Sequence, residues 1–567
     1  MSPRPQISIP GCGAIQGVHP ASQPTVAKFL NIPYATVPER WRASVPAAPW
    51  QGIRDGSLQG PVCHQPASEN PLVSMTSVEM DEDDEEAYSK IYNERDCLNL
   101  NIFVPKTQLE NNKSLVPVMV WIHGGGFKDG SNAMDLYDAT NMVAHSEKAL
   151  NRPVLVVTIN YRLNFFGFLS SAELVHDLQS DPRATSKSVG NWGLLDQKLA
   201  LEWVRDHIGA FGGNPGDVTV FGESAGAASI GYHLGTRAHH GLFHKAIMQS
   251  GAATTMIAGR PELEGQRYFN NLCKHFGLHD QDLTGAQKLE RLRAIPAKDL
   301  VKAGDRGKVG MFIPTIDGVV IESDVREGVH DPARYDPGVR AVMLGDCRDE
   351  GSMFVPVLGA KGLKHWPRFV ARNCPPGMEK EFEAIYGVPS TNAEAAQISA
   401  VVLSDSVFLY PIHATSRALL CGEHGGQREV VRFHFDRPLQ VVEDMQLGLG
   451  AHHAVELPFV FGSDTYLDLL NEEEKVLSQR MMETWILFAW GETSRQHGLR
   501  HGEGSLLPAD VGVGRQKMEA ITFTEQGTVE KRPVERLDAR TLGFWRKTEQ
   551  WQQQQREKQA RERKAKL

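Results

Sequence analysis

Short runs of apolar residues recur along this chain, several of them apolar at every position, and they leave few folds open to it. The clearest are "VPVMVWIH" from Val116, "PVLVVTINY" from Pro153 and "VTVFG" from Val218. A strand with one wet face alternates apolar and polar side chains. A strand without alternation needs helices over both faces, the arrangement of parallel sheets. "LNLNIFVP" from Leu98, "KAIMQSG" from Lys245, "VRAVMLGD" from Val339 and "EVVRFHF" from Glu429 extend the series. Longer amphipathic stretches lie between them. In "WGLLDQKLALEWVRDHIGAFGG" the apolar residues fall at helical spacing, and Gly212-Gly213 offers a C-cap. Strands alternating with helices predict an α/β fold.

The 567 residues are 41% hydrophobic and 23% charged, ample material for a core. The formal net charge is −9, and outside the last dozen residues no basic stripe offers a footprint for nucleic acid. Pro10, Gly11 and Gly13 interrupt the apolar segment near the N-terminus, which does not read as a signal peptide. No run approaches the ~18 apolar residues of a transmembrane helix, so a soluble, intracellular protein is expected. Seven cysteines, an odd number, argue against a disulfide scaffold. Two stretches differ in texture. "EMDEDDEEAY", Glu79 to Tyr88, is densely acidic, and the tail from Glu549, "EQWQQQQREKQARERKAKL", is Gln-rich and then basic. The first reads as a solvated loop, the second as a solvated or frayed helix.

One serine stands apart. In "VTVFGESAGAAS" the residues Gly222-Glu223-Ser224-Ala225-Gly226 fit G-x-S-x-G directly after an expected strand. A nucleophile at the tip of a tight strand-to-helix turn brings its backbone against neighbouring elements, so the positions two before and two after it must lack bulk. Chance would supply about 0.2 such matches in a chain of this length. A second feature, "VWIHGGGFKDGS", sets His123-Gly124-Gly125-Gly126 at the end of another apolar run. Consecutive glycines bare N–H groups that can face an oxyanion, each worth about 10²–10³ in rate. Alone, the run is equally a flexible turn. A glycine run followed by the nucleophile is the order found in lipases and esterases.

Taken together, "GESAGAAS", "HGGGF", "GNWGLLDQKLALEWVRDHIGAFGGNPGDVTVFG" and "HHAVELPFVFG" resemble the type B carboxylesterase/lipase family, cholinesterases included, and are closest in appearance to its fungal members. The similarity runs from "FLNIPYA" at Phe29 to "TWILFAWGE" ending at Glu492. It implies a single α/β-hydrolase domain with a large, mostly parallel mixed sheet flanked by helices, assigned to residues 1–548; by composition, residues 549–567 read as a C-terminal tail. It further implies Ser224 as nucleophile, Gly125, Gly126 and Ala225 as oxyanion-hole donors, and Glu350 in "VMLGDCRDEGSMF" as the acid. Asp349 is the alternative acid. The base comes last in chain order, and counting three residues back from Glu456 in "GAHHAVELPFVFG" selects His453 over His452. Ser250, in "MQSGA", matches a serine that hydrogen-bonds the acid in the family; it is otherwise a plain loop serine.

A serine hydroxyl is a weak nucleophile near neutral pH and needs an adjacent base. The implied activity is therefore that of a serine carboxylic-ester hydrolase working through an acyl-enzyme on a small-molecule ester. No HExxH or clustered Cys/His spacing occurs, and no metal or organic cofactor is expected. An acyltransferase using the same acyl-enzyme, or an inactive adhesion or scaffold member of the fold, stays open. Cholinesterases hold a quaternary ammonium on a tryptophan between their first two cysteines. Between Cys63 and Cys97 this chain has none, so a choline ester is not expected. That pair matches the family's first disulfide, yet in a reducing compartment both would be free thiols. The acidic run lies between the same cysteines, in a segment forming a lid or gorge wall in relatives, and is expected to bias the entrance against anionic esters. The terminal Ala565-Lys566-Leu567 resembles the peroxisomal address Ser-Lys-Leu, which implies an import receptor as partner; cytosolic residence is the alternative. Nothing in the sequence bears on oligomeric state.

Overall fold

The seven expected strands all form, and three more join them in one ten-stranded sheet. In chain order the strands are β1 (Val26–Pro33), β2 (Asn99–Pro105), β3 (Val116–Ile122), β4 (Leu155–Ile159) and β5 (Gly213–Glu223). They are followed by β6 (Lys245–Gln249), β7 (Ala341–Cys347), β8 (Glu429–Phe435), β9 (Glu519–Phe523) and β10 (Val529–Pro533). Across the sheet the order is β10-β9-β8-β7-β6-β5-β3-β4-β2-β1. Strands β3 to β9 run parallel, whereas β2 opposes β4, β1 opposes β2 and β10 opposes β9. The computed structural model describes residues 3–68, 70–74, 88, 90–110, 114–279, 282–305, 312–421, 428–492, 519–533 and 537–564. The acidic run, apart from Tyr88, and Ala565-Lys566-Leu567 lie outside the described residues, and with them the expected entrance bias and receptor-read address.

The apolar runs are apolar throughout because the sheet has two dry faces. Along β3, Val118, Val120 and Ile122 join one core while Met119 and Trp121 join the other. β4 divides likewise, with Leu155, Val157 and Ile159 on one side and Val156 on the other. The first core is covered by α1 (Trp192–His207) and α2 (Ala225–Gly235). A short 3₁₀ turn after α1 ends at Gly212, left-handed at φ 84°, and β5 begins at the next residue. Further on come α3 (Asn392–Leu403), a π-helical turn (Ser404–Leu409) and α4 (Tyr410–Cys421). Helix α5 (Glu472–Ala489) covers the second core, and α6 (Ala539–Lys564) packs on a third cluster with Trp366, Phe382 and Phe408.

Two expectations change. The boundary at 548/549 falls inside one helix, α6, whose Glu549 and Arg556 both engage the body of the protein, so the first part of the stretch from Glu549 is a packed helix rather than a solvated one. Among the described residues one stretch, Asn392–Leu420, is long and apolar enough to cross a membrane, although none was expected. Its best window has a mean hydropathy of 1.4, and 61% of that window is buried inside the protein. The apolar side chains of α3 and α4 serve packing.

Candidate active site

Strand β5 runs directly into a strained turn. Ser224 has φ 55° and ψ −117°, a conformation that costs an L-residue of order 1–3 kcal/mol and persists only where its surroundings impose it. Its N–H donates to the Gln249 carbonyl at the end of β6 (2.9 Å), and its own carbonyl accepts from Ala228 N–H in α2 (2.8 Å). Bulk is excluded on both sides. A Cβ on Gly222 would lie 2.7 Å from the Ile122 carbonyl oxygen, and one on Gly226 would lie 2.0 Å from the same atom. The steric reason expected for the two glycines holds.

Ser224 is half-buried and opens into a cavity of ≈ 510 Å³, which Gly125, Gly126, Glu223 and His453 also line. Gly125 (φ 95°) and Gly126 (φ 62°) are left-handed, and a Cβ on Gly125 would meet the Asp129 carbonyl oxygen at 2.1 Å. The turn is closed by Lys128 and Asp129 N–H groups donating to the Gly125 carbonyl (2.9 and 3.1 Å). The N–H groups of Gly125, Gly126 and Ala225 donate to no other described group. Ala225 opens α2, where the first amides have no partner within the helix.

His453 stands between two carboxylates. Its Nδ1 is 2.6 Å from Glu350 Oε2, and its Nε2 is 3.0 Å from Glu223 Oε1. The second contact is off-axis for a hydrogen bond and acts through charge. Glu350 is fully buried, and its Oε1 accepts from the Cys347 N–H at 2.8 Å. Burial disfavours the imidazolium, but the two carboxylates outweigh it and hold His453 well above the ordinary histidine value. The rings of Phe408 and Phe354 pack on the imidazole at 4.6 and 5.2 Å between centroids.

A second buried layer supports the first. Glu456 Oε1 accepts from Gln249 Nε2 (3.0 Å), and Oε2 accepts from the Cys347 thiol (3.2 Å). Burial, with Glu223 nearby, pushes Glu456 up to about 7. Burial likewise raises the Cys347 thiol well above its ordinary value, so the donor keeps its proton.

The alternatives are placed elsewhere. His452 directs its Nδ1 to the His453 carbonyl (2.8 Å), and Asp349 Oδ2 accepts from Ala451 N–H and Arg348 Nε, both at 2.9 Å. Asp349 holds the loop that carries the histidines rather than an imidazole. The hydrogen bond expected from Ser250 to Glu350 is absent. The Ser250 hydroxyl instead donates to Cys347 Sγ at 3.9 Å, while Glu350 is engaged by the Cys347 amide and His453. Sequence reasoning did not assign roles to Glu223, Cys347, Phe354 and Phe408. For Glu223 a signal existed, since an acid directly before the serine must lie near its partners. Cys63 and Cys97 are buried neighbours, with Sγ atoms 2.6 Å apart.

A mostly parallel sheet carrying a strained serine at a strand-to-helix turn defines the class of α/β-hydrolases. The chain belongs to the carboxylesterase family, whose model matches residues 3–505. It is 32% identical to the para-nitrobenzyl esterase of Bacillus subtilis (strain 168) over 490 residues, 82% of this chain and 86% of that one. With carboxylesterase 5A of Felis catus it shares 32% over 501 residues, 85% and 84% of the two chains. It is 31% identical to the acetylcholinesterase of Bungarus fasciatus over 520 residues, 84% and 77%. Among solved structures, a thermophilic PNB esterase superposes with a TM-score of 0.71 at 27% identity, covering 95% of this chain and 100% of the other. The protein is a carboxylic ester hydrolase.

Proposed function

We propose that hydrolysis proceeds through an acyl-enzyme on Ser224, with His453 as the base and Glu350 as the acid that orients it. The observation that carries this reading is the 2.6 Å contact of His453 Nδ1 with Glu350, on the wall of the cavity that Ser224 also lines. Ser224 Oγ attacks the ester carbonyl as His453 Nε2 takes its proton. Glu350 keeps the proton on Nδ1 and stabilises the imidazolium that forms. Glu223, 3.0 Å from Nε2, adds a second negative charge to the same imidazolium. The amides of Gly125, Gly126 and Ala225 face the oxyanion. His453 then returns the proton to the departing alkoxide, and water repeats the sequence on the acyl-enzyme.

The substrate is an uncharged ester with an apolar group of moderate size. Phe165, Met256, Phe312, Phe354, Val407 and Phe408 line a cavity whose volume is that of a typical small-molecule site, roughly 300–1,000 Å³. Hydrolysis of p-nitrophenyl esters of increasing acyl length, by the protein and by Ser224→Ala, tests both points. The substitution is expected to lower kcat by about 10⁶. Rates that persist in Ser224→Ala would remove the serine from the chemistry.

A further inference from the structure

The π-helical turn Ser404–Leu409 is the contact point of three parts of the protein. On the cavity side it presents Val407 and Phe408, next to Leu403 at the end of α3. The Phe408 ring lies 4.6 Å from His453 and 5.5 Å from Phe354. Towards the acid, Ser404 Oγ accepts from the N–H of Gly351, the residue after Glu350, at 2.8 Å. The approach there is so close that a Cβ on Gly351 would lie 2.0 Å from the Ala400 carbonyl oxygen. The wall of the cavity and the loop carrying Glu350 therefore cannot move independently. A helix holds a π turn at a cost, and such turns persist where neighbours or function demand them.

The neighbour is α6, which lies beyond the residues matched by the family model. Trp545 Nε1 donates to Tyr386 Oη at 2.7 Å, and the same hydroxyl donates to Asp405 Oδ2 at 3.0 Å. Tyr386 thus accepts from the C-terminal helix and donates to the π turn, in a chain whose members polarise one another. Trp545 and Asp405 are both buried. One residue past the turn, Tyr410 Oη donates to Glu549 Oε2 of α6 at 2.8 Å. Arg556 of α6 also donates to the Ala258 carbonyl (3.1 Å), two residues after the cavity residue Met256.

We infer that α6 sets the shape of the substrate cavity through the chain Trp545–Tyr386–Asp405, making Trp545 and Tyr386 positioning residues for acyl-group selectivity. The inference rests on the reading of Ser224 as nucleophile of this cavity. Neither residue touches the ester; each acts by fixing Val407 and Phe408 against His453 and Phe354.

The test uses the full chain with Tyr386→Phe, which keeps its ring and loses only the hydroxyl, Trp545→Phe, which loses the indole N–H along with part of the ring, and the double variant. The readout is the ratio of kcat/KM for p-nitrophenyl octanoate to that for p-nitrophenyl acetate, with active sites titrated by a fluorophosphonate. A purely structural role lowers the fraction of active protein and scales both esters equally. A positioning role changes the ratio, by about two- to tenfold, the size of one hydrogen bond. Because both substitutions cut one chain, the double variant should match the larger single effect rather than their product. An unchanged ratio, or effects that multiply, would overturn the inference. If Trp545→Phe fails to fold, the ratio in Tyr386→Phe alone decides. Failure of the underlying nucleophile reading would show differently, as wild-type protein that hydrolyses esters without being titrated at Ser224.

Discussion

Gly226 lies so tightly under Ile122 that a Cβ on it would be 2.0 Å from the Ile122 carbonyl oxygen, a backbone atom at the end of β3. No side-chain rotation relieves such a contact. Gly226→Ala must push α2 away from β3, and the strained Ser224 turn moves with it. The expected outcome is a destabilisation of about 2–4 kcal/mol together with loss of esterase activity, read by thermal unfolding and p-nitrophenyl acetate turnover. Gly209→Ala, where a Cβ meets nothing within 4 Å, is the control.

Glu223 places its charge 3.0 Å from the nitrogen that must accept the serine proton. It favours the imidazolium and helps raise His453, against burial, which lowers it. Catalysis needs the neutral imidazole in the free enzyme, so this charge moves the acid limb of kcat/KM upward in pH. Glu223→Gln removes it, and the acid limb is expected to shift to lower pH. A pH–rate profile that stays in place or moves up would show that Glu223 does not act on His453.

Glu456 titrates at about 7 when folded, with burial the main cause. An unfolded glutamate releases its proton near 4.3. Between those values the folded protein holds a proton that the unfolded chain has lost, so stability falls as pH rises through the window. Glu456→Gln has no such proton to lose. Thermal unfolding at about pH 5 and about pH 8 should show a larger fall in Tm for the wild type than for the variant. Equal falls would mean that Glu456 is already ionised across the range.

Much of this was legible in the residues. The non-alternating runs mark strands with two dry faces, and β3 divides its side chains between two cores as that pattern requires. Gly222 and Gly226 announce the serine turn because a Cβ at either would strike the Ile122 carbonyl of the neighbouring strand, and the motif spacing carries that constraint. β1, β9 and β10 are harder. β1 contains Lys28 and Asn31 and a bulge between Phe29 and Ile32, and β10 is a charged edge strand, which suits an edge but hides the strand signal. The cavity wall is illegible for another reason. Ser404–Leu409 reads as ordinary helix, and only its contacts with Gly351, Tyr386 and His453 make it a π turn beside the site. Ser250 shows the limit of motif transfer, since a cysteine at 347 changes what its hydroxyl can reach.

The proposed chemistry requires Ser224 to become covalently acylated. Intact-mass and peptide mass spectrometry after reaction with a fluorophosphonate measures this directly. The expected result is one adduct per chain, on the peptide holding Ser224, lost together with ester hydrolysis in Ser224→Ala. Hydrolysis continuing in Ser224→Ala at the wild-type rate, with the adduct on another residue or absent, would contradict it.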